Sequence, residues 1–324
     1  MKMKKIAAIV FSAMMMLNMG TAAFAEGATQ DVEPVITKTY QVNRGTAPAE
    51  TFTYNFRGVS YKNGDGIIVA DATIPAIAPV TIPFNEAISA TTQKTVAVPI
   101  EADDYELGVY TYEVTEHSGN TAGVTYSNEK LYLVLTIVRD EQSNKHYVAA
   151  LHYETIDGQK TDNDLTNNYD SNSLTVTKHI AGNMAEMSKK FTFTISFAAP
   201  TGSEIRSAIS TNSENGTWSD NGLIYTIALG DSESVTLNNI PAGVSYTVEE
   251  DSQNYTASHD GQEGNKAEGV IAADKAATAS FTNTLNQGID TGINLDSMPY
   301  IMILCLVAVC AVVLFVRKRT SANR

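Results

Sequence analysis

From Val32 to Asn283 the chain alternates apolar and polar residues in short runs, broken by Gly, Asn, Asp and Pro. "VITKTYQV", "TFTYNF", "KTVAVPI", "VYTYEVTE" and "KLYLVLTIV" are such runs in the first half. "SLTVTKHI", "KFTFTISF", "LIYTIAL", "SVTL", "VSYTVEE" and "TASFTN" follow in the second. A period of two in segments rich in Thr, Val, Tyr, Ile and Phe predicts half-buried β-strands. Long amphipathic helical windows are absent from this region. The spacing of the strands and turns predicts an all-β fold of sandwich type.

Both ends break the alternation. Residues 298–316 contain no charged side chain and are followed at once by Arg317, Lys318 and Arg319. Nineteen residues at about 1.5 Å each make a helix of about 28 Å, enough to span a bilayer core. The basic flank places the bulk of the chain on the outer side of the membrane. At the other end "MKMKK" precedes the apolar run "IAAIVFSAMMMLNM" and the small residues Ala23 and Ala25. This is the pattern of a secretory signal peptide, with cleavage expected after Ala25.

Residues 26–292 carry 35 acidic against 15 basic side chains, a net charge of −20. Such a surface repels nucleic acid and anionic lipid. Both cysteines, Cys305 and Cys310, lie in the apolar tail, so the outer part has no disulfide. A secreted chain without disulfides rests on its cores alone or on another staple.

The chain also repeats itself. "VITKTYQV" matches "LTVTKHI", "FTYNF" matches "FTFTISF", "LGVYTYEVTE" matches "PAGVSYTVEE", and "DLTNN" matches "SFTN". Each half thus opens with a Lys on a strand, carries a Glu at a strand end and closes with an Asn on its last strand. The sets are Lys38, Glu116, Asn167 and Lys178, Glu250, Asn283. Asn168 is an alternative to Asn167, which the spacing to the next Lys favours. The expected organisation is a signal peptide (1–25), a first sandwich (26–171), a second sandwich (172–286) and a terminal segment (287–324). "NYDSNS" is the expected linker between the sandwiches.

Placed together in an apolar core, these residues define a reaction. Burial lowers a Lys pKa and raises a Glu pKa, which favours the neutral amine and the neutral acid. A neutral amine is a nucleophile. A protonated Glu can hydrogen-bond the Asn carboxamide, polarise its carbonyl and shuttle protons. Attack on the carboxamide expels ammonia and leaves an amide joining first and last strands. A single set would be read as solvated charges. Two sets in the same order argue against that.

These motifs resemble the backbone pilins of Gram-positive bacteria, of the streptococcal two-domain type. The matches are "TVTK", "YEVTE" and "YTVEE", "SFTN", and the closing "TG" before an apolar segment and basic residues. The resemblance implies Ig-like (CnaB-like) sandwiches with isopeptide bonds Lys38–Asn167 and Lys178–Asn283, formed with Glu116 and Glu250. It implies a sorting signal cut by sortase between Thr291 and Gly292, although "GIDTG" lacks the usual Leu-Pro opening. It further implies Lys160 as the acceptor amine for polymerisation, ahead of Lys189 and Lys190. The implied partners are sortase, neighbouring pilin subunits in a covalent homopolymer, minor tip and base pilins, and peptidoglycan. The implied route is secretion, transient membrane anchoring, and then residence in a surface pilus or the cell wall.

The alternative class is a wall-anchored adhesin that uses the same domains as a stalk. Multiple-turnover enzyme chemistry has no support. His117, His146, His152, His179 and His259 are scattered, and no nucleophile elbow or phosphate-cradling loop occurs. No metal site or cofactor is expected. "DGQKTDNDLTNNYDSN" lacks the spaced Gly and the terminal Glu of a calcium-binding helix–loop–helix and reads as a polar turn and linker.

Overall fold

The computed structural model describes residues 32–219, 221–287 and 298–321. The signal peptide and the Thr291–Gly292 bond lie outside the described residues. The remainder forms two β-sandwiches followed by a separate helix.

The first sandwich comprises β1 (Val35–Val42), β2 (Glu50–Asn63), β3 (Val80–Phe84), β4 (Thr92–Ala97) and β5 (Gly108–Glu116). It continues with β6 (Val124–Thr125), β7 (Lys130–Arg139), β8 (His146–Glu154), β9 (Lys160–Thr161) and β10 (Asp164–Tyr169). One sheet has the order β4-β1-β10-β6 and the other β3-β2-β5-β7-β8-β9. The second sandwich comprises β11 (Ser171–Ala181), β12 (Phe191–Ala198), β13 (Ser210–Thr211), β14 (Thr217–Trp218), β15 (Ile224–Leu229) and β16 (Ser234–Pro241). It is completed by β17 (Ser245–Glu250), β18 (Thr256–His259), β19 (Gln262–Glu263), β20 (Lys266–Val270) and β21 (Ala277–Thr284). Its sheets run β13-β16-β11-β21-β18-β19 and β14-β15-β12-β17-β20.

Alternation explains the cores. In β12 the residues Phe191, Phe193, Ile195 and Phe197 face inward while Thr192, Thr194 and Ala198 are exposed. Inward positions of the facing sheets meet in one apolar cluster per sandwich, since side chains on a strand change face at every residue. The first core is rich in tyrosine, with Tyr40, Tyr54, Tyr110 and Tyr112 fully or almost fully buried.

In both sandwiches the first and last strands are parallel neighbours. β1 pairs with β10, and β11 with β21. Parallel neighbours cannot be joined by a hairpin. The whole domain must therefore fold between them, which brings the two ends of each repeat together. The registers coincide as well: Tyr40 is paired with Asn167, and Ile180 with Asn283. In each case the Asn sits opposite the residue two beyond the Lys.

The expected linker is shorter than "NYDSNS". Asn168 and Tyr169 belong to β10, and Ser171 to Ser173 to β11, so Asp170 alone separates the strands. Both flanks stay ordered because they are held by partners. Tyr169 is buried with its hydroxyl 2.6 Å from Ser207 Oγ, and Ser171 Oγ donates to Arg44 O at 3.1 Å. The loop after β5 also crosses over, placing Ala122 in the second core.

The C-terminal helix α1 runs Met298–Ser321, five residues past the uncharged stretch. Its span Tyr300–Lys318 has mean hydropathy 2.7 and none of it is buried against the protein. Length and composition fit a membrane crossing.

Candidate functional site

Lys38 lies in β1 and Asn167 in β10, on the inward face shared by these paired strands. Glu116 ends β5 in the opposite sheet, paired with Tyr54 of β2. Lys38 and Asn167 are fully buried, and the Glu116 side chain is likewise shielded from solvent. Lys38 Nζ donates to Glu116 Oε2 at 2.6 Å. Asn167 Nδ2 donates to Glu116 Oε1. The carboxyl group therefore bridges amine and carboxamide with one oxygen for each. Asn168, the alternative, is only half-buried and lies on the other face of the strand.

The second site repeats this arrangement. Lys178 (β11) and Asn283 (β21) are fully buried, and Glu250 at the end of β17 is paired with Phe193. Lys178 Nζ is 2.7 Å from Glu250 Oε1, and Asn283 Nδ2 donates to the same oxygen at 3.0 Å. The remaining atoms are less well served. Among the described residues, Glu250 Oε2 and Asn283 Oδ1 are buried without a hydrogen-bond partner, and Lys178 Nζ is out of line for one.

Aromatic rings seal both amines from water. Lys38 Nζ sits 4.6 Å from the centre of the Phe52 ring, and Lys178 Nζ 4.5 Å from that of Phe191. The two phenylalanines are equivalent members of the repeated "FTY" and "FTF" runs. Their role was hidden in the sequence because a Phe on a strand reads as core. Burial pulls the Lys38 and Lys178 amines below the ordinary lysine range, against the opposing pull of Glu116 and Glu250. Burial pushes the Glu250 carboxyl above the usual carboxylate range. A buried ion pair is costly when its remaining donors are unmatched, so neutral forms become accessible.

The carboxamide of Asn167 is oriented unambiguously. Its Oδ1 accepts a hydrogen bond from the Ser127 backbone N–H at 2.7 Å. An amide N–H can only donate, so the atom facing it must be the carbonyl oxygen. Glu116 consequently meets the carboxamide at nitrogen, not at the carbonyl as the sequence suggested. No residue letter marks this contact, because Ser127 contributes only its backbone.

Lys160 opens β9, is exposed, and lies across from Glu154 of β8. It is not part of either buried site. Lys190 pairs with Glu233 at 3.1 Å, and Lys189 Nζ lies 5.0 Å from the Tyr255 ring centre. Among the described residues no three His, Cys, Asp or Glu side chains are grouped to hold a metal ion.

Tandem Ig-like sandwiches, paired first and last strands and a terminal apolar helix define a two-domain β-sandwich protein with a helix long and apolar enough to cross a membrane. Comparison with known proteins takes this further. Residues 172–285 match a family described as a domain of unknown function, DUF7601. The chain is 31% identical over 235 residues to a pilin of Streptococcus pyogenes serotype M1, covering 66% of this chain and 68% of that protein. Among solved structures, the major pilin of S. pyogenes aligns with TM-score 0.55 and 23% identity, over 80% of this chain and all of that one. The T3.2 major pilin of S. pyogenes aligns with TM-score 0.56 and 21% identity, over 80% and 98%. The chain belongs to the pilin family of Gram-positive bacteria, and its fold is that of the streptococcal major pilins. It is a pilus subunit, and its pilin relatives are structural proteins.

Proposed function

We propose that this chain is the backbone subunit of a covalently polymerised pilus, stapled internally by Lys38–Asn167 and Lys178–Asn283 amide bonds. The observation that carries this reading is the repetition of one buried Lys–Glu–Asn arrangement at the same strand register in both sandwiches. Nζ of the neutral lysine attacks Cγ of the asparagine. Glu116 or Glu250 takes a proton from the attacking amine and delivers one to Nδ2. The Cγ–Nδ2 bond breaks, ammonia leaves, and a secondary amide remains. Each molecule reacts once per site, so the chemistry builds structure and does not turn over.

In this reading residues 26–171 and 172–286 are the two structural domains. Sortase cleaves between Thr291 and Gly292 while the helix holds the chain at the membrane, and Lys160 of another subunit takes up the acyl group. A head-to-tail bond of this kind does not close on itself and therefore builds a fibre. Tip and base pilins and peptidoglycan are the further partners, and the cell surface is the final location.

Three measurements test the reading. The intact mass of residues 26–291 should fall two ammonias short of the sequence mass, and a full mass would refute the internal bonds. Glu116→Ala and Glu250→Ala should each restore one ammonia. The first bond encloses about 130 residues, for which chain entropy gives about 5 kcal/mol. Losing it should lower Tm by about 10–20 °C. For polymerisation, Lys160→Ala should abolish the high-mass ladder of wall extracts on denaturing gels. A ladder that persists unchanged would remove Lys160 from the linkage.

A further inference from the structure

The two sites hold their carboxamides differently. Asn167 Oδ1 accepts from the Ser127 N–H at 2.7 Å, whereas Asn283 Oδ1 is buried with no partner among the described residues. Ser127 lies half-buried between β6 and β7 and presents its N–H to the fully buried Asn167. When a lysine amine attacks Cγ, the carbonyl π electrons move onto Oδ1, and that oxygen carries the developing negative charge. A fixed N–H aimed at the oxygen is worth most at that moment, in a site that excludes water. The glutamate cannot fill this role at the first site, because it occupies the nitrogen side of the carboxamide.

We propose that the Ser127 backbone N–H is the oxyanion donor for formation of the Lys38–Asn167 bond, and that the second site reacts without an equivalent donor. This deepens the proposed amide-forming reaction and rests on it. The donor assists attack by stabilising charge on Oδ1. It then keeps the same hydrogen bond to the carbonyl oxygen of the product amide, while Nδ2 departs as ammonia with a proton from Glu116. The serine side chain plays no part in the step. The position therefore tolerates any residue that retains the N–H.

The test is a time course. The full chain is made by cell-free translation with mild detergent present, sampled at intervals, quenched and digested. The two cross-linked peptides are then quantified separately. Ser127 is replaced by its α-hydroxy acid analogue, which exchanges the N–H for an ester oxygen and leaves the shape of the loop intact. Ser127→Pro removes the N–H by a second route, and Ser127→Ala retains it. The ester chain should form the Lys38–Asn167 link about 100-fold more slowly than the natural chain. Its Lys178–Asn283 link should mature at the natural rate, and Ser127→Ala should match the natural chain at both sites. An ester chain that closes the first link at the natural rate overturns the proposal. So does one in which both links slow equally, since the effect would then not be local to Asn167. Absence of both links from the natural chain is a distinct result, and it would sink the amide-forming reaction itself.

Discussion

A lysine amine in a dry core has two ways to avoid an uncompensated charge: pair with a carboxylate or give up its proton. At the second site burial holds the Lys178 amine below its usual value of 10.5 and the Glu250 carboxyl above its usual 4.5. The two titrations converge, so over a broad middle range the pair holds one proton between them. Only that one-proton state contains the neutral amine and the protonated acid together. Acidification adds a second proton and charges Lys178, which removes the nucleophile. Alkali strips the proton from Glu250, which removes the acid needed at Nδ2. The rate of Lys178–Asn283 closure should therefore be bell-shaped in pH, with its maximum between 4.5 and 10.5. Chain recovered unfolded before reaction, then diluted into buffers across this range, would provide the rates. A rate that climbs without a maximum to pH 10 would show that Glu250 acts only as a base.

At the scale of elements, the sandwiches are joined by contacts that act across the single residue Asp170. Asn239, at the end of β16, uses its full hydrogen-bonding capacity there. Its Oδ1 accepts from Thr46 N at 2.8 Å and shares with Arg44 O the single proton of Ser171 Oγ, 3.0 Å away, and its Nδ2 donates to Thr46 O at 3.2 Å and Ala208 O at 3.0 Å. Its φ of 59° is one that Asn tolerates better than other non-glycine residues. Asn239→Gly keeps the backbone conformation available and deletes the bridge to Thr46 together with the bond to Ala208. It should cost about 2–3 kcal/mol and speed amide exchange at Thr46 while leaving both cross-links intact. Asn239→Ala should cost about 1 kcal/mol more because Cβ strains the positive φ. Equal stability of the two variants would mean that φ carries no penalty here. None of this was readable in advance. Alternation revealed β1, β2, β5, β7, β11 and β12, because one face of each meets a core. β8 is less regular, since "HYVAALHYE" has adjacent exposed and half-buried residues in its middle. The linker read as a short polar connection, yet strand pairing and the partners of Tyr169 and Ser171 order it. The Lys–Glu–Asn sets were legible because they occur twice. Ser127 and Asn239 act through tertiary proximity, which leaves no periodic trace.

For the whole molecule, the proposed linkages determine which of the two staples carries load. With Lys160 as acceptor and Thr291 as donor, tension enters just before β10, passes through Asp170 into β11 and reaches Lys178. There the second amide carries it to Asn283 in β21 and on towards Thr291. Strands β1 to β8 lie outside this path, and so does everything between Lys178 and Asn283. The covalent route then comprises residues 160–178 and 283–291, a backbone contour of about 100 Å when fully extended. The first bond is not in series with it. Its mechanical role is lateral: it ties β10, the strand under load, to β1 beside it. Single molecules held at the Lys160 side chain and at residue 291 should therefore distinguish the two glutamates. Glu250→Ala should release residues 179–282 under force and lengthen each subunit by about 350 Å. Glu116→Ala should weaken the first sandwich to heat yet leave the stretched length unchanged. If Glu116→Ala instead lengthened the subunit on that scale, the load would have to pass through the first sandwich, and Lys160 could not be where the next subunit attaches.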